Sequence, residues 1–195
     1  MKEIIIAAMS IVGVLVGFAL SERKSGKEQK MYKESLWLEL EDIRDGLASV
    51  LESLLNEFKN PIRNNRVKPL EVDWDYVNEL QKGLGANIPF PVRKALKEMK
   101  LLDKVATSVI NKKNESAIQR GEGKVVINYQ LCSLAIVETC KLLYVICKLL
   151  ETRENYKRSI ELDTKDIIIS VFKRIDRYSQ ISDVEVRKIC NSAPR

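Results

Sequence analysis

Residues Ile4–Leu20, IIIAAMSIVGVLVGFAL, form an apolar run that carries no charge and a single polar side chain, Ser10. A helix rises about 1.5 Å per residue, so the run reaches roughly 25 Å, near the lower limit for a hydrocarbon core of about 30 Å. Lys2 and Glu3 on one flank, and Arg23 and Lys24 on the other, can snorkel to headgroups and lengthen that reach. The run therefore predicts a single transmembrane helix, with the anchor over residues 1–21. A cleaved signal peptide is the competing reading, because Ala19-Leu20-Ser21 has the small-x-small form of a cleavage site.

Flanking charge decides between the two. The amino-terminal flank balances Lys2 against Glu3, whereas Arg23, Lys24, Lys27, Lys30 and Lys33 follow the run. Positive flanks stay in the cytoplasm, so the expected orientation is amino terminus outside and the bulk of the chain inside. A signal peptide needs the opposite bias. In a bacterium the host bilayer would be the inner membrane. Gly13 and Gly17 form a GxxxG within the run. Two readings stay open for it: helix self-association at a face where no side chain separates the backbones, or ordinary glycine usage in a membrane helix.

The chain has 195 residues and a formal net charge of +6, and residues 22–33 supply half of that charge with five bases against two acids. This stretch is read as a basic juxtamembrane linker, either flexible or continuing the membrane helix, and its five bases are candidate contacts for anionic lipid headgroups. The remaining half of the charge, spread over residues 34–195, argues against a nucleic-acid surface. The chain contains no histidine, which removes the commonest general base and metal ligand and excludes Ser–His and Cys–His nucleophile pairs. No enzyme chemistry, cofactor, metal or small-molecule substrate is indicated.

Residues 34–195 are long enough for one domain with its own core, and their apolar spacing predicts an all-α bundle of about five to six helices. Leu36, Leu40, Ile43, Leu47, Val50 and Leu54 recur at alternating steps of four and three up to the stop at Asn60-Pro61. Such a seam suits a coiled-coil dimer. Trp37, Leu38, Leu51 and Leu55 widen the stripe and favour packing inside one chain instead. Residues 61–73 read as a loop. Asp73 caps a short helix from Trp74 that ends at Gly83 and Gly85. Pro91 opens a helix to about Asn111 with a basic outer side: Arg93, Lys94, Lys97, Lys100 and Lys104. Residues 112–124 read as a polar loop, and no stretch alternates clearly enough to predict a strand.

The most apolar helix of the domain is expected over Val125–Leu150. Its stripe runs through Tyr129, Cys132, Ile136, Cys140, Leu143 and Cys147, and Glu138 and Lys141 can pair on its polar side. Those charges favour a core helix over a second membrane span. The three cysteines within it stand seven or eight residues apart, about 10–12 Å along a helix, too far to bridge one another. With Cys190 they suit buried thiols in a reducing compartment. Further helices are expected after Asp163 or Thr164 and after Ser182 or Asp183. These features predict a membrane-anchored helical interaction module, a scaffold, regulator or subunit of a membrane complex, whose partner is another protein or a second copy. The alternative is a membrane-disrupting or channel-forming effector that oligomerises through its apolar helices.

Overall fold

A computed structural model describes residues 2–63, 65–120, 124–157, 162–176 and 180–194, with the side chains of α1 described from residue 25 onward. The fold is all-α apart from one small sheet. Six α-helices are present among the described residues: α1 (Lys2–Lys59), α2 (Trp74–Leu84), α3 (Phe90–Glu115), α4 (Tyr129–Thr152), α5 (Thr164–Arg174) and α6 (Asp183–Ser192). Among the described residues no helix is long and apolar enough to cross a membrane. The side chains of the predicted span Ile4–Leu20 lie outside the described ones, as do those of Gly13, Gly17, Arg23 and Lys24.

α1 is a single helix of 58 residues that runs unbroken through 22–33. Of the two options for that stretch, continuation of the helix is the one adopted. Ser25 and Gly26 are too few to interrupt a segment otherwise made of good helix formers. The seam residues Leu36, Leu40, Ile43, Leu47 and Leu54 are buried in the chain's own core, and Val50 packs against it. The heptad pattern is thus spent on α2 and α4, both of which pack on α1. Leu38 departs from the expected stripe at 61% exposure. It stands two residues from both Leu36 and Leu40, about 200° round the helix, and so faces away from the core.

α4 is the hub and packs against α1, α3, α5 and α6. Leu142, Leu143, Ile146 and Leu149 are fully enclosed, and Lys141 Nζ donates to Glu138 Oε1 at 2.7 Å as the spacing predicts. α4 supplies the centre of the core in this structure.

Two predicted loops contain strands. β1 (Ile62–Arg63), β2 (Ile118–Arg120) and β3 (Lys124–Val126) form an antiparallel sheet in the order β1-β3-β2, with Ile62 and Ile118 both opposite Val126. Segments of two or three residues are too short to display a period of two, and their pairing joins distant parts of the chain. The sheet also claims Val125 and Val126, so α4 begins at Tyr129, where the Asn128 side chain accepts from Leu131 N at 3.1 Å. α3 extends past Asn111 to Glu115, and α2 continues through Gly83 to a cap at Gly85. The Asp73 cap forms as expected, accepting from Asp75 N and Tyr76 N.

Candidate functional site at the amino-terminal end of the bundle

Three segments meet where α1 enters the bundle. Gly83 brings α2 against α1: a methyl group there would stand 2.9 Å from the Tyr32 ring. Gly85, at φ 52, then turns the chain while its N–H donates to Gln81 O and Lys82 O. A 3-10 turn at Gly85–Asn87 leads to buried Ile88, and Pro89 and Pro91 open α3. The third segment is the 3-10 turn Arg153–Asn155 that follows α4.

Together they line a cavity of about 290 Å³. Leu36, Trp37, Leu84, Ile88 and Val92 give it apolar walls, and Gln29, Lys30, Lys33 and Glu154 supply polar and charged groups. Lys33 is ion-paired with Glu154, and Lys30 Nζ lies 3.9 Å from Glu34 Oε1. Arg153 sits at φ 46, the left-handed region that favours glycine, which costs a non-glycine residue about 1–3 kcal/mol. Its guanidinium lies 5.8 Å from the Trp37 ring centroid and 3.9 Å from Glu41 Oε1. Contacts with α1 thus hold this turn in place. Trp37 is only 7% exposed, and its indole Nε1, fully enclosed, meets no acceptor among the described residues. Beside the cavity Phe90 stands 69% exposed, with the Arg93 guanidinium 5.9 Å from its ring centroid.

Of the residues singled out for lipid contact, Lys30 and Lys33 line this cavity and Lys27 is exposed one turn before them. The predicted seam residues lie in the core or, in the case of Val50, pack against it, and Leu36 also forms part of the cavity wall. Trp37 reads in sequence only as one more apolar position. Arg153 reads in sequence as part of a charged continuation or turn after the apolar helix. Nothing local to either segment signals that they meet.

Other polar clusters lie away from this end. Glu57 and Lys113 pair inside the core, and Trp74 Nε1 donates to Asp103 Oδ2 at 2.8 Å. A cleft of about 710 Å³ between α4, α5 and α6 carries Lys141, Lys165 and Arg187 among Glu138 and Asp163, a mixture with no single sign of charge. All four cysteines are free thiols, and burial pushes Cys147 up to about 11 and raises Cys140 and Cys190. Among the described residues no group of three or more Cys, Asp or Glu side chains is arranged to hold a metal ion. Compared with protein families, curated proteins and solved structures, the chain shows no match.

Proposed function

We propose that the chain is a membrane-anchored, non-catalytic helical interaction module, held to the cytoplasmic face of a bilayer by Ile4–Leu20 and acting as a scaffold, regulator or subunit of a membrane complex. The observation that carries the reading is the continuity of α1. The apolar run and the bundle's main packing face belong to one helix, without a linker that would let the domain wander from the surface. The bundle end beside this entry supports it: Lys30 and Lys33 line the cavity there, and exposed Phe90 has the Arg93 guanidinium 5.9 Å from its ring centroid. Met31 and Leu38, one heptad apart and both exposed on α1, offer a lateral contact for a protein partner or second copy.

Carbonate extraction of membranes from cells making the full chain tests the anchor, and protease protection tests its direction. The expected result is retention in the membrane pellet, with the carboxy-terminal domain protected in sealed cells and cleaved in inverted vesicles. Quantitative recovery in the carbonate supernatant would overturn the anchor. Crosslinking with mass spectrometry in mild detergent then tests the interaction role, where a monodisperse monomer without a partner would count against it.

A further inference from the structure

We infer that the chain assembles with further copies of itself, the outer face of α1 in one copy meeting the outer face of α3 in the next. The inference deepens the interaction role proposed above by naming a second copy as the partner, and its register rests on the anchored reading. Two exposed helix faces of opposite charge carry it. Residues 34–45 of α1 hold five acids against one base, and Glu34, Leu38, Asp42 and Asp45 recur on the outer side at steps of four and three. Residues 90–105 of α3 hold five bases against two acids, of which Asp103 is buried. Phe90, Lys94, Lys97, Leu101 and Lys104 recur on its outer side at the same steps. Leu38 and Phe90 are 61% and 69% exposed, so each face pairs an open apolar side chain with charges of one sign. Asp42, Lys94, Lys97 and Lys104 are exposed and in no ion pair among the described residues.

The bundle sets the register. Glu57 pairs with Lys113 at one end of α1 and α3, and Leu36 and Val92 wall one cavity at the other end. Both pairs stand 56 residues apart in the chain, so the two helices run the same way and an α1 residue is roughly level with the α3 residue 56 positions on. Copies anchored in one bilayer and related by rotation about its normal keep these levels. Leu38 is then level with Lys94 and about 6 Å, one turn, from Phe90. Asp42 is level with the turn that carries Lys97, and Lys94 falls between Glu34 and Asp42. Glu34 and Asp45 have basic neighbours on α1 itself, Lys30 at 3.9 Å and Arg44 at 2.8 Å, but such surface pairs hold a carboxylate only weakly. Two α1 faces would set acid against acid, and two α3 faces ammonium against ammonium. The contact therefore joins different patches of the two copies.

Co-purification of two differently tagged full chains, mixed in non-ionic detergent, tests this with charge swaps. Glu34→Lys with Asp42→Lys makes both faces basic, and Lys94→Glu with Lys97→Glu makes both acidic. Each double variant should lose self-association by about ten-fold, with unchanged circular dichroism. Mixing the two variants should restore wild-type association, because each then offers the face that the other lacks. That rescue separates complementarity from misfolding, and from pairing of the membrane helices, which the swaps leave untouched. Wild-type association by either variant alone, or a mixture that fails to restore it, would overturn the inference. A wild-type chain that stays single yet crosslinks to another protein in cells would sink this contact and leave the interaction role standing. Swap-sensitive association by a chain that fails carbonate extraction would sink the anchor and leave the contact standing.

Discussion

Lys113 donates its ammonium proton to Glu57 Oε2 inside the core, where the two side chains are 0% and 1% exposed. The other carboxylate oxygen, Glu57 Oε1, accepts from Val67 N at 2.8 Å, and Asn114 Nδ2 donates to Val67 O at 2.9 Å. One ion pair therefore binds the ends of α1 and α3 and ties the segment after β1 to both. The desolvation cost of such a pair is large, so its presence is poor evidence of net stabilisation, yet neither partner can be removed cheaply.

Lys113→Met leaves the Glu57 carboxylate buried without its cation and should cost about 3–5 kcal/mol in chemical denaturation. Glu57→Gln with Lys113→Met should cost clearly less than the sum of the two single changes. The stranded charge is then gone, while the new amide oxygen can still accept from Val67 N. Additive losses would show that the two side chains are not coupled.

Asp103 supplies a pH dependence. Burial raises its carboxyl above the usual range, and the hydrogen bond from Trp74 opposes the shift without cancelling it. A raised acid binds its proton more tightly in the folded state, so it destabilises the fold above its folded pKa. That penalty fades as pH falls through the raised value toward the ordinary carboxylate range. Asp103→Asn keeps an acceptor for Trp74 and does not titrate. Thermal melts of the two proteins across acidic pH should show the wild type losing ground to the variant as pH rises. Parallel curves would mean that Asp103 is not shifted.

The thiols should differ in reactivity. Cys132, Cys140 and Cys147 are buried in α4, whereas Cys190 on α6 is half-buried. Thiolate is the reactive form, and burial also holds Cys140 and Cys147 protonated at neutral pH. Maleimide labelling followed by mass spectrometry should modify Cys190 first and the other three only after unfolding. Early labelling within α4 would place that helix outside the core.

Two glycines of helical segments predict opposite signs. Gly26→Ala meets nothing within 4 Å and should stabilise the fold by about 1 kcal/mol through helix propensity alone. Gly83→Ala gains the same propensity, but its methyl meets the Tyr32 ring at 2.9 Å. Overpacking of this kind costs about 1–3 kcal/mol, so the net change should be destabilising. Matched denaturation curves compare them, and stabilisation at Gly83 would show that the ring yields freely.

The sequence by itself determined the all-α class, the order of the helices and most of their termini, because these follow from local interactions. Spacing by three and four, the cap at Asp73, the breaks at Asn60-Pro61 and Pro89–Pro91, and the pairing of Glu138 with Lys141 all act within a few residues. It also singled out Ile4–Leu20 and the bases after it, which composition alone makes conspicuous. The tertiary structure decided what depends on segments far apart in the chain. Val125 and Val126 continue an apolar helical pattern, yet the sheet claims them through partners at Ile62–Arg63 and Ile118–Gln119. Lys113 reads as part of a polar loop until Glu57 reaches it from α1. Lys33, Trp37 and Glu154 become one site only because α4 runs back along α1 and delivers its last turn beside the helix entry. Periodicity records which face of a helix is apolar, but not which distant residue meets it, and the cavity is made of such meetings.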